Sequence, residues 1–286
     1  MHRFHIKRKI SDTLLGATYE CERVRDFSLS DVKPTYMSSV AIKCCSLTIA
    51  EDATVPKERL IDHPHREEQV ITKLITSGGH RNVLQCYDHF VADDMVYFVS
   101  EYCAGGDLYQ HLSTFPNGTM DEATAMQTLT QIADGVVYLH SLGFAHRDLS
   151  LENVLLRHGE WKIADFGLST QVNEWTSDCA GKDYYMAPEV VAQESYDPAK
   201  ADVWSLGIML FMMLTGSQLL PLASPKTKGF SVVVSFGIGA ILTAWGMREY
   251  VSDAVVGLLE RMLQVDPVAR MSMAEVVASL SALAEA

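Results

Sequence analysis

Residues 146–153 read His-Arg-Asp-Leu-Ser-Leu-Glu-Asn, and residues 165–167 read Asp-Phe-Gly after two short apolar runs. The two stretches contain three oxygen-bearing side chains, Asp148, Asn153 and Asp165, which a loop followed by a hairpin would bring close together. Carboxylate and amide oxygens bind Mg²⁺, and a carboxylate also orients a hydroxyl group for nucleophilic attack. The pattern therefore favours phosphoryl transfer, in which positioning and charge neutralisation do most of the catalytic work.

Composition is that of an ordinary globular protein. The chain has 286 residues, of which 48% are hydrophobic and 21% charged, and this length is typical of about two folding units with a large core. The formal net charge of -13 argues against nucleic acid or an anionic membrane as the main partner, because both attract clustered Lys and Arg. The six cysteines include no C-x-x-C pair, so we expect reduced thiols in the cytoplasm or nucleus.

One apolar run, residues 230–245, resembles a membrane segment in composition. It is interrupted by Gly237 and Gly239, and it is shorter than the roughly twenty residues that a helical span needs. We therefore expect no membrane span here but a core helix or a helix that faces a partner, with residues 226–245 as the candidate contact. The first ten residues are basic and lack the apolar core of a signal peptide.

Four further motifs accompany the opening pair. Residues 40–43 read Val-Ala-Ile-Lys and residues 101–108 read Glu-Tyr-Cys-Ala-Gly-Gly-Asp-Leu, while residues 187–189 read Ala-Pro-Glu. Asp-Pro-x-x-Arg follows at residues 266–270. In this order, the motifs resemble those of eukaryotic protein kinases of the serine/threonine branch, from Gly16 to Arg270.

The resemblance implies an α+β fold with two lobes. A small, mostly antiparallel β lobe is expected over residues 1–102, and a larger, mostly helical lobe over residues 103–286. Together they would form one kinase domain of about residues 11–280, with the first two strands at 11–24. ATP and Mg²⁺ would bind between the lobes.

By the same resemblance, Lys43 contacts the α and β phosphates of ATP and is held by a carboxylate. That carboxylate is expected from a helix that Pro64 opens at its first turn. Glu67 lies on the apolar stripe of this helix, whereas Glu68 is one position away and is expected to be solvated. We therefore favour Glu67 as the partner of Lys43 and keep Glu68 as the alternative.

The resemblance assigns the remaining site residues by position. Asp148, Lys43 and Asn153 would be catalytic, and Asn153 and Asp165 would hold the metal. Ser100 would be the gatekeeper behind adenine, the carbonyl of Glu101 and the amide of Cys103 would meet the base, and Asp107 would bind ribose. The full set expected at the nucleotide is Gly16, Ala41, Lys43, Glu67, Ser100, Glu101, Cys103, Asp107, Leu155 and Asp165.

The chain departs from the family pattern at two places. Gly16 is all that remains of the glycine-rich loop, and Ser150 occupies the place where serine/threonine kinases usually have a lysine that touches the γ-phosphate. Lys182, directly after Gly181, is a candidate replacement for that lysine, with a solvent-facing lysine as the alternative. Two functions remain open: an active kinase that phosphorylates Ser or Thr, or a pseudokinase that acts as a nucleotide-binding scaffold for other proteins.

Two acidic positions suggest how substrate and regulation work. Asp107 and Glu152 match the positions at which related kinases bind arginines before the phosphoacceptor, so we expect protein substrates with basic residues there. Asp178 lies eleven residues before Glu189, where many kinases carry an activating phosphate that pairs with the arginine of the His-Arg-Asp motif. Asp178 could supply part of that charge permanently, or it could be only a turn residue.

Helix ends and one buried pair are also predicted. Thr119 with Glu122 and Ser272 with Glu275 fit capping boxes, and Ser252 fits an N-cap. By the resemblance, Arg270 pairs with Glu189 of the Ala-Pro-Glu motif. The stretch from Asp165 to Glu189 is called the activation segment below, and residues 146–153 are called the catalytic loop.

Overall fold

The computed structural model describes residues 4–24, 36–50 and 64–285. Its N-terminal part is a five-stranded antiparallel sheet with the strand order β1-β2-β3-β5-β4. The strands are β1 (Phe4–Thr13), β2 (Gly16–Val24), β3 (Tyr36–Ser46), β4 (Cys86–Ala92) and β5 (Met95–Glu101). Within the described residues, this lobe has two helices, α1 (Leu47–Ala50) and α2 (Pro64–Thr76).

The first strand begins at Phe4 and not near residue 11, so the predicted start of the sheet was wrong. The reason is charge: β1 is an edge strand whose residues are mostly exposed, and edge strands commonly carry charges that discourage further pairing. Lys7 and Arg8 bond the buried carboxylate of Glu20 on β2, at 3.0 and 2.8 Å. The basic run is therefore part of the sheet.

The register of β3 directs its motif residues to opposite faces. Side chains alternate along a strand, so Ala41 and Lys43 share one face, while Val40 and Ile42 share the other. The second face carries a separate apolar cluster on the outside of the sheet. The face with Ala41 and Lys43 is the one that meets α2, through Lys43 and Glu67.

The C-terminal part is mostly helical, as expected. Its helices are α3 (Leu108–Leu112), α4 (Glu122–Ser141), α5 (Pro188–Val191), α6 (Pro198–Thr215), α7 (Lys228–Ala244), α8 (Asp253–Met262) and α9 (Met273–Ala284). Its short strands are β6 (Phe144–Ala145), β7 (Val154–Arg157), β8 (Glu160–Ile163) and β9 (Thr170–Gln171), and 3₁₀ turns lie at Pro116–Gly118, Leu151–Asn153 and Arg248–Tyr250.

Two of the three predicted helix caps are present. Ser272 and Glu275 form a reciprocal capping box on α9, and Ser252 caps α8. The box at Thr119 was wrong, because Asp121 caps α4 by accepting a hydrogen bond from the amide of Thr124 at 2.8 Å. A carboxylate next to the first helical residue offers a stronger acceptor than a hydroxyl two residues earlier.

Helix α6 forms the centre of the C-terminal part and is buried on nearly all sides. It begins at Pro198, with Asp197 as its N-cap. Arg270 lies beside it and bonds both carboxylate oxygens of Glu189, at 2.6 and 2.9 Å. This predicted pair is present and buried on both sides.

The apolar run predicted as a core or partner helix is α7, which bends at Gly237 (φ 74°). Phe230 and Ile238 are buried, whereas Val234 and Phe236 are exposed. Among the residues that the structure describes, no helix combines the length and apolar character needed to cross a membrane.

Candidate functional site

Lys43 joins three parts of the chain at the cleft between the lobes. Its ammonium lies 2.8 Å from a carboxylate oxygen of Glu67 on α2 and 2.8 Å from Asp165, which follows β8. Glu67 is buried, whereas Glu68 faces outward, beside His65 and His89. The structure thus brings Lys43, Glu67 and Asp165 together and leaves Glu68 outside the site.

The backbone of the catalytic loop is bonded to the carboxylate of Asp202 on α6. The backbone amides of His146 and Arg147 donate to its two carboxylate oxygens, each at 2.8 Å, and His140 lies 2.8 Å from one of them. Burial would raise the pKa of Asp202, but the hydrogen bond and charge of His140 outweigh it, and the pKa lies below its ordinary value. A buried carboxylate that stays ionised fixes the loop backbone.

Asp148 and Asn153 are bonded to each other within this loop. The side-chain amide of Asn153 donates to the carbonyl of Asp148 at 2.8 Å and to its carboxylate at 2.7 Å. Burial raises the pKa of Asp148, with Lys182 and His146 acting in the opposite direction. The carboxylate is 15% exposed, so it remains open to the cleft.

The donor set fits a magnesium ion. The amide nitrogen of Asn153 is engaged by Asp148, which leaves its oxygen to act as a ligand. The backbone carbonyl of Asn153 accepts from Ala164 at 2.8 Å, so the side chains of Asn153 and Asp165 emerge from adjacent backbone. The side chain of Asp165 is 47% exposed. Burial would raise the pKa of Asp165, but the charge and hydrogen bond of Lys43 outweigh it and keep that pKa below its ordinary value. An amide oxygen and an ionised carboxylate are ligands of the kind that Mg²⁺ takes.

Lys182 reaches the catalytic loop from the activation segment. Its backbone amide donates to Asp148 at 3.1 Å, and its ammonium donates to the hydroxyl of Ser150 at 2.6 Å. The same ammonium is 3.8 Å from the carboxylates of both Asp148 and Glu152. The ammonium therefore lies against the catalytic loop, while a third of the side chain is exposed. That Lys182 replaces the missing lysine stays a prediction.

The activation segment also contacts Arg147. The guanidinium of Arg147 lies 3.6 Å from the carboxylate of Asp178 and 3.3 Å from its backbone carbonyl. Arg66 on α2 lies 3.5 Å from the same carboxylate. Tyr196 donates to the carbonyl of Asp178 at 3.0 Å. Asp178 is thus more than an isolated turn residue, although 54% of its side chain is exposed.

The segment after β5 connects the lobes and is fixed on both sides. The carboxylate of Glu101 accepts from the amide of Gln85 at 2.9 Å and pairs with Lys162 at 3.2 Å and with Arg157. The motif predicted only a role for the carbonyl of Glu101, and this side-chain cluster was not predicted. Its signal was Lys162, a lysine that lies between Trp161 and Ile163 in β8.

Other residues expected at the nucleotide line this connection. Ser100 pairs with Ala41 across β5 and β3, and Asp107 bridges to Leu155. Asp107 also caps α3 by accepting from Gln110 at 2.7 Å, which leaves its second oxygen for a ligand. Cys103 is buried, and burial raises its pKa to about 12.

Gly16 has a packing reason to be glycine. It opens β2 after a two-residue turn, and a Cβ atom there would overlap the carbonyl of Cys44 on β3. Close packing between β2 and β3 therefore requires this glycine. A contact between Gly16 and phosphate stays a prediction.

Comparisons with known proteins agree with this arrangement. The pattern of the family described as "Protein kinase domain" matches residues 31–280. The chain is 34% identical over 213 residues to the serine/threonine-protein kinase kin-29 of Caenorhabditis briggsae, covering 72% of this chain and 24% of that protein. It is 36% identical over 203 residues to the mitosis inducer protein kinase cdr1 of Schizosaccharomyces pombe, covering 69% and 32%.

A plant relative gives the longest of the three alignments. The chain is 30% identical over 245 residues to the CBL-interacting serine/threonine-protein kinase 12 of Arabidopsis thaliana, covering 84% of this chain and 46% of that protein. The chain spans about a quarter to a half of the length of these relatives. Because the family pattern covers most of the sequence and the cleft has the arrangement described above, the chain belongs to the protein kinase domain family.

Proposed function

We propose that this chain transfers the γ-phosphoryl group of ATP to Ser or Thr hydroxyls of protein substrates. One observation carries the proposal: Lys43 bonds Glu67 and Asp165 at 2.8 Å each, and Asp165 follows Ala164, whose amide bonds the backbone of Asn153, the partner of Asp148. Three carboxylates, an ammonium and an amide in one cleft are the groups that phosphoryl transfer needs.

The roles follow from position and charge. Lys43 neutralises the α and β phosphates, and Glu67 fixes its ammonium in place. Asp148 orients the attacking hydroxyl and accepts its proton. Asn153 and Asp165 hold Mg²⁺, which neutralises charge on the phosphates when it is bound. Adenine is surrounded by five residues: Ala41, Ser100, Glu101, Cys103 and Leu155. The free oxygen of Asp107 faces ribose.

Basic residues before the phosphoacceptor remain the expected substrate preference. The supporting groups are the free oxygen of Asp107 and the carboxylate of Glu152, which can form charge-assisted bonds with arginine. Glu152 already accepts from Tyr184 at 2.8 Å and from Tyr185 at 3.2 Å. At Asp107, one oxygen accepts from Gln110 and the other is assigned to ribose, so ribose competes with a substrate arginine there. We therefore expect a modest preference at both positions.

The proposed location is the cytoplasm or nucleus. All six cysteines are free thiols, which supports a reducing compartment. Within α7, the exposed Val234 and Phe236 support residues 226–245 as a contact for another protein, and this too stays a prediction.

A phosphorylation assay tests the proposed function. The purified chain is incubated with radiolabelled ATP, Mg²⁺ and a library of Ser- and Thr-containing peptides, with Asp148→Asn as the matched inactive control. Label on Ser or Thr that the control abolishes is the expected result. If both proteins fail to transfer label, yet ATP with Mg²⁺ still raises their melting temperatures, the chain is a nucleotide-binding scaffold and the proposal is wrong.

A further inference from the structure

We propose that Lys182 is a catalytic residue. From the activation segment, it supplies the positive charge that stabilises the phosphoryl group in the transition state of the transfer. This inference rests on the proposed kinase function and deepens it. In the transfer, the substrate oxygen bonds to the γ-phosphorus, and the bond from that phosphorus to the β,γ-bridging oxygen breaks. The electron pair of the broken bond goes to ADP, and the hydroxyl proton goes to Asp148. Lys182 exchanges no proton and supplies charge alone.

The position of the ammonium is the first argument. It lies 2.6 Å from the hydroxyl of Ser150 and 3.8 Å from Asp148, beside the group that would take the substrate proton. Among the described residues, Lys182 is the only lysine or arginine with its charged group within 4 Å of the Asp148 carboxylate. Lys43, the other cation in the cleft, is engaged by Glu67 and Asp165.

The hydrogen-bonding capacity of the ammonium is the second argument. A lysine has three N–H donors, and one is used by Ser150. The distances of 3.8 Å to Asp148 and Glu152 are longer than hydrogen bonds. Two donors therefore remain for phosphate oxygens, and one-third of the side chain is exposed to the cleft.

The ammonium of Lys182 is not needed to hold the activation segment in place. The backbone amide of Lys182 already bonds Asp148, and Tyr184 and Tyr185 both bond Glu152. These contacts hold the segment against the catalytic loop without a charged side chain at position 182. What the ammonium adds to them is its charge.

Gly181 explains how the backbone comes so close. Its φ of 111° is in the range that favours glycine, and a Cβ atom there would lie 2.8 Å from the carbonyl of Arg147. The segment can therefore pass directly over the catalytic loop at this point, and the next residue is delivered to Asp148. As a consequence, the charge is present only when the activation segment is ordered.

Four variants test the inference against wild type in the peptide assay. Lys182→Met removes the charge at similar volume, Lys182→Arg keeps it, and Lys73→Met removes an exposed lysine elsewhere as the matched control. The decisive variant combines Lys182→Met with Ser150→Lys, which moves the ammonium into the catalytic loop. Melting temperatures and the KM for ATP are measured for all of them.

The expected result is a loss of kcat of at least 100-fold in Lys182→Met, with the KM for ATP within threefold of wild type. Lys182→Arg should stay within tenfold of wild type, and Lys73→Met should equal wild type. The double variant should recover at least tenfold over Lys182→Met, because a purely structural lysine could not be replaced from another segment.

Two outcomes overturn the inference while the proposed function stands. One is an active wild type with kcat within threefold in Lys182→Met. The other is a loss in Lys182→Met that the double variant does not recover and that a lower melting temperature accompanies, since Lys182 would then serve only to hold the segment. A wild type that transfers no label at all overturns the proposed function and this inference together.

Discussion

The carboxylate of Asp178 lies 3.6 Å from the guanidinium of Arg147, although the two residues are separated by the whole hairpin of β7 and β8. Arg66 reaches the same carboxylate from α2, at 3.5 Å. One acidic side chain thus links the activation segment, the catalytic loop and the helix that carries Glu67. We expect it to order the segment in the absence of phosphorylation.

The first prediction is that Asp178→Asn lowers kcat/KM of unphosphorylated protein by up to about fivefold, because a partly exposed ion pair is worth up to about 1 kcal/mol. The assay uses phosphatase-treated protein whose mass shows no phosphate, and Glu174→Gln in the same segment is the control. A treated wild type that is already inactive, or a variant as fast as wild type, contradicts the prediction. A gain after phosphorylation of Thr176 or Ser177 would show that the carboxylate supplies only part of the charge.

The second prediction concerns the buried pair of Glu189 and Arg270. Glu189→Gln leaves the guanidinium without its counter-charge, and breaking a buried pair in this way costs about 3 to 5 kcal/mol. Denaturant unfolding should show that loss in the free energy of unfolding, whereas the exposed Glu194→Gln should change it by less than about 0.5 kcal/mol. Equal stability of the two variants would mean that the pair contributes little beyond its geometry.

The third prediction is a pH dependence of stability from Asp202. Because its pKa is lower in the folded chain, its stabilisation is fully present above the unfolded pKa of about 3.9 and is lost as the pH falls through the folded pKa. Asp202→Asn should therefore lower the free energy of unfolding by roughly 1 to 3 kcal/mol near pH 7, and the difference from wild type should shrink below about pH 4.

Unfolding is measured from pH 3 to 7, with the exposed Asp134→Asn as the control. A difference between Asp202→Asn and wild type that stays constant over this range would show that Asp202 does not change its pKa on folding.

The fourth prediction compares two cysteines. Cys103 is buried and burial raises its pKa to about 12, so little reactive thiolate forms at neutral pH. Cys179 is exposed, although partial burial raises its pKa as well. Iodoacetamide at pH 7.5 should therefore modify Cys179 first, as followed by peptide mass mapping, with denatured protein as the control for full reaction. Modification of Cys103 at the same rate would show that the connecting segment opens readily.

The fifth prediction concerns Ser100, which lies on β5 directly opposite Ala41. A small side chain leaves space behind adenine, so Ser100→Met should weaken a bulky ATP-site inhibitor by about tenfold or more, since overpacking costs about 1 to 3 kcal/mol. The KM for ATP should change much less. Ser113→Met, at an exposed position after α3, is the control, and an unchanged inhibitor affinity in Ser100→Met would mean that residue 100 does not border that space.

Some site contacts could be predicted because their signals are local. Glu67 stands on the apolar stripe of its helix, and this periodicity separates it from Glu68 without any knowledge of the tertiary structure. The pair of Glu189 and Arg270 followed from two motifs that the family resemblance connects. In both cases a short string of residues contained the information.

Other contacts depend on residues that are distant in sequence. The carboxylate of Glu101 meets Gln85, Arg157 and Lys162, and no short pattern connects those four positions. The role of Asp202 had a signal, a carboxylate inside an apolar helix, but its targets were two backbone amides that no side-chain pattern reveals. Strand β1 was not predicted, because its basic residues have the composition of an unstructured segment.

The contact between Lys182 and Ser150 matters for how kinases with incomplete motifs are classified as active or inactive. A comparison of aligned sequences finds a serine at position 150 and concludes that the positive charge of the usual lysine is missing. A survey that compares positions in space finds an ammonium 2.6 Å away from that serine, arriving by another route along the chain. Verdicts of lost activity are therefore safer when they are based on where charges lie in the folded molecule than on which column holds them.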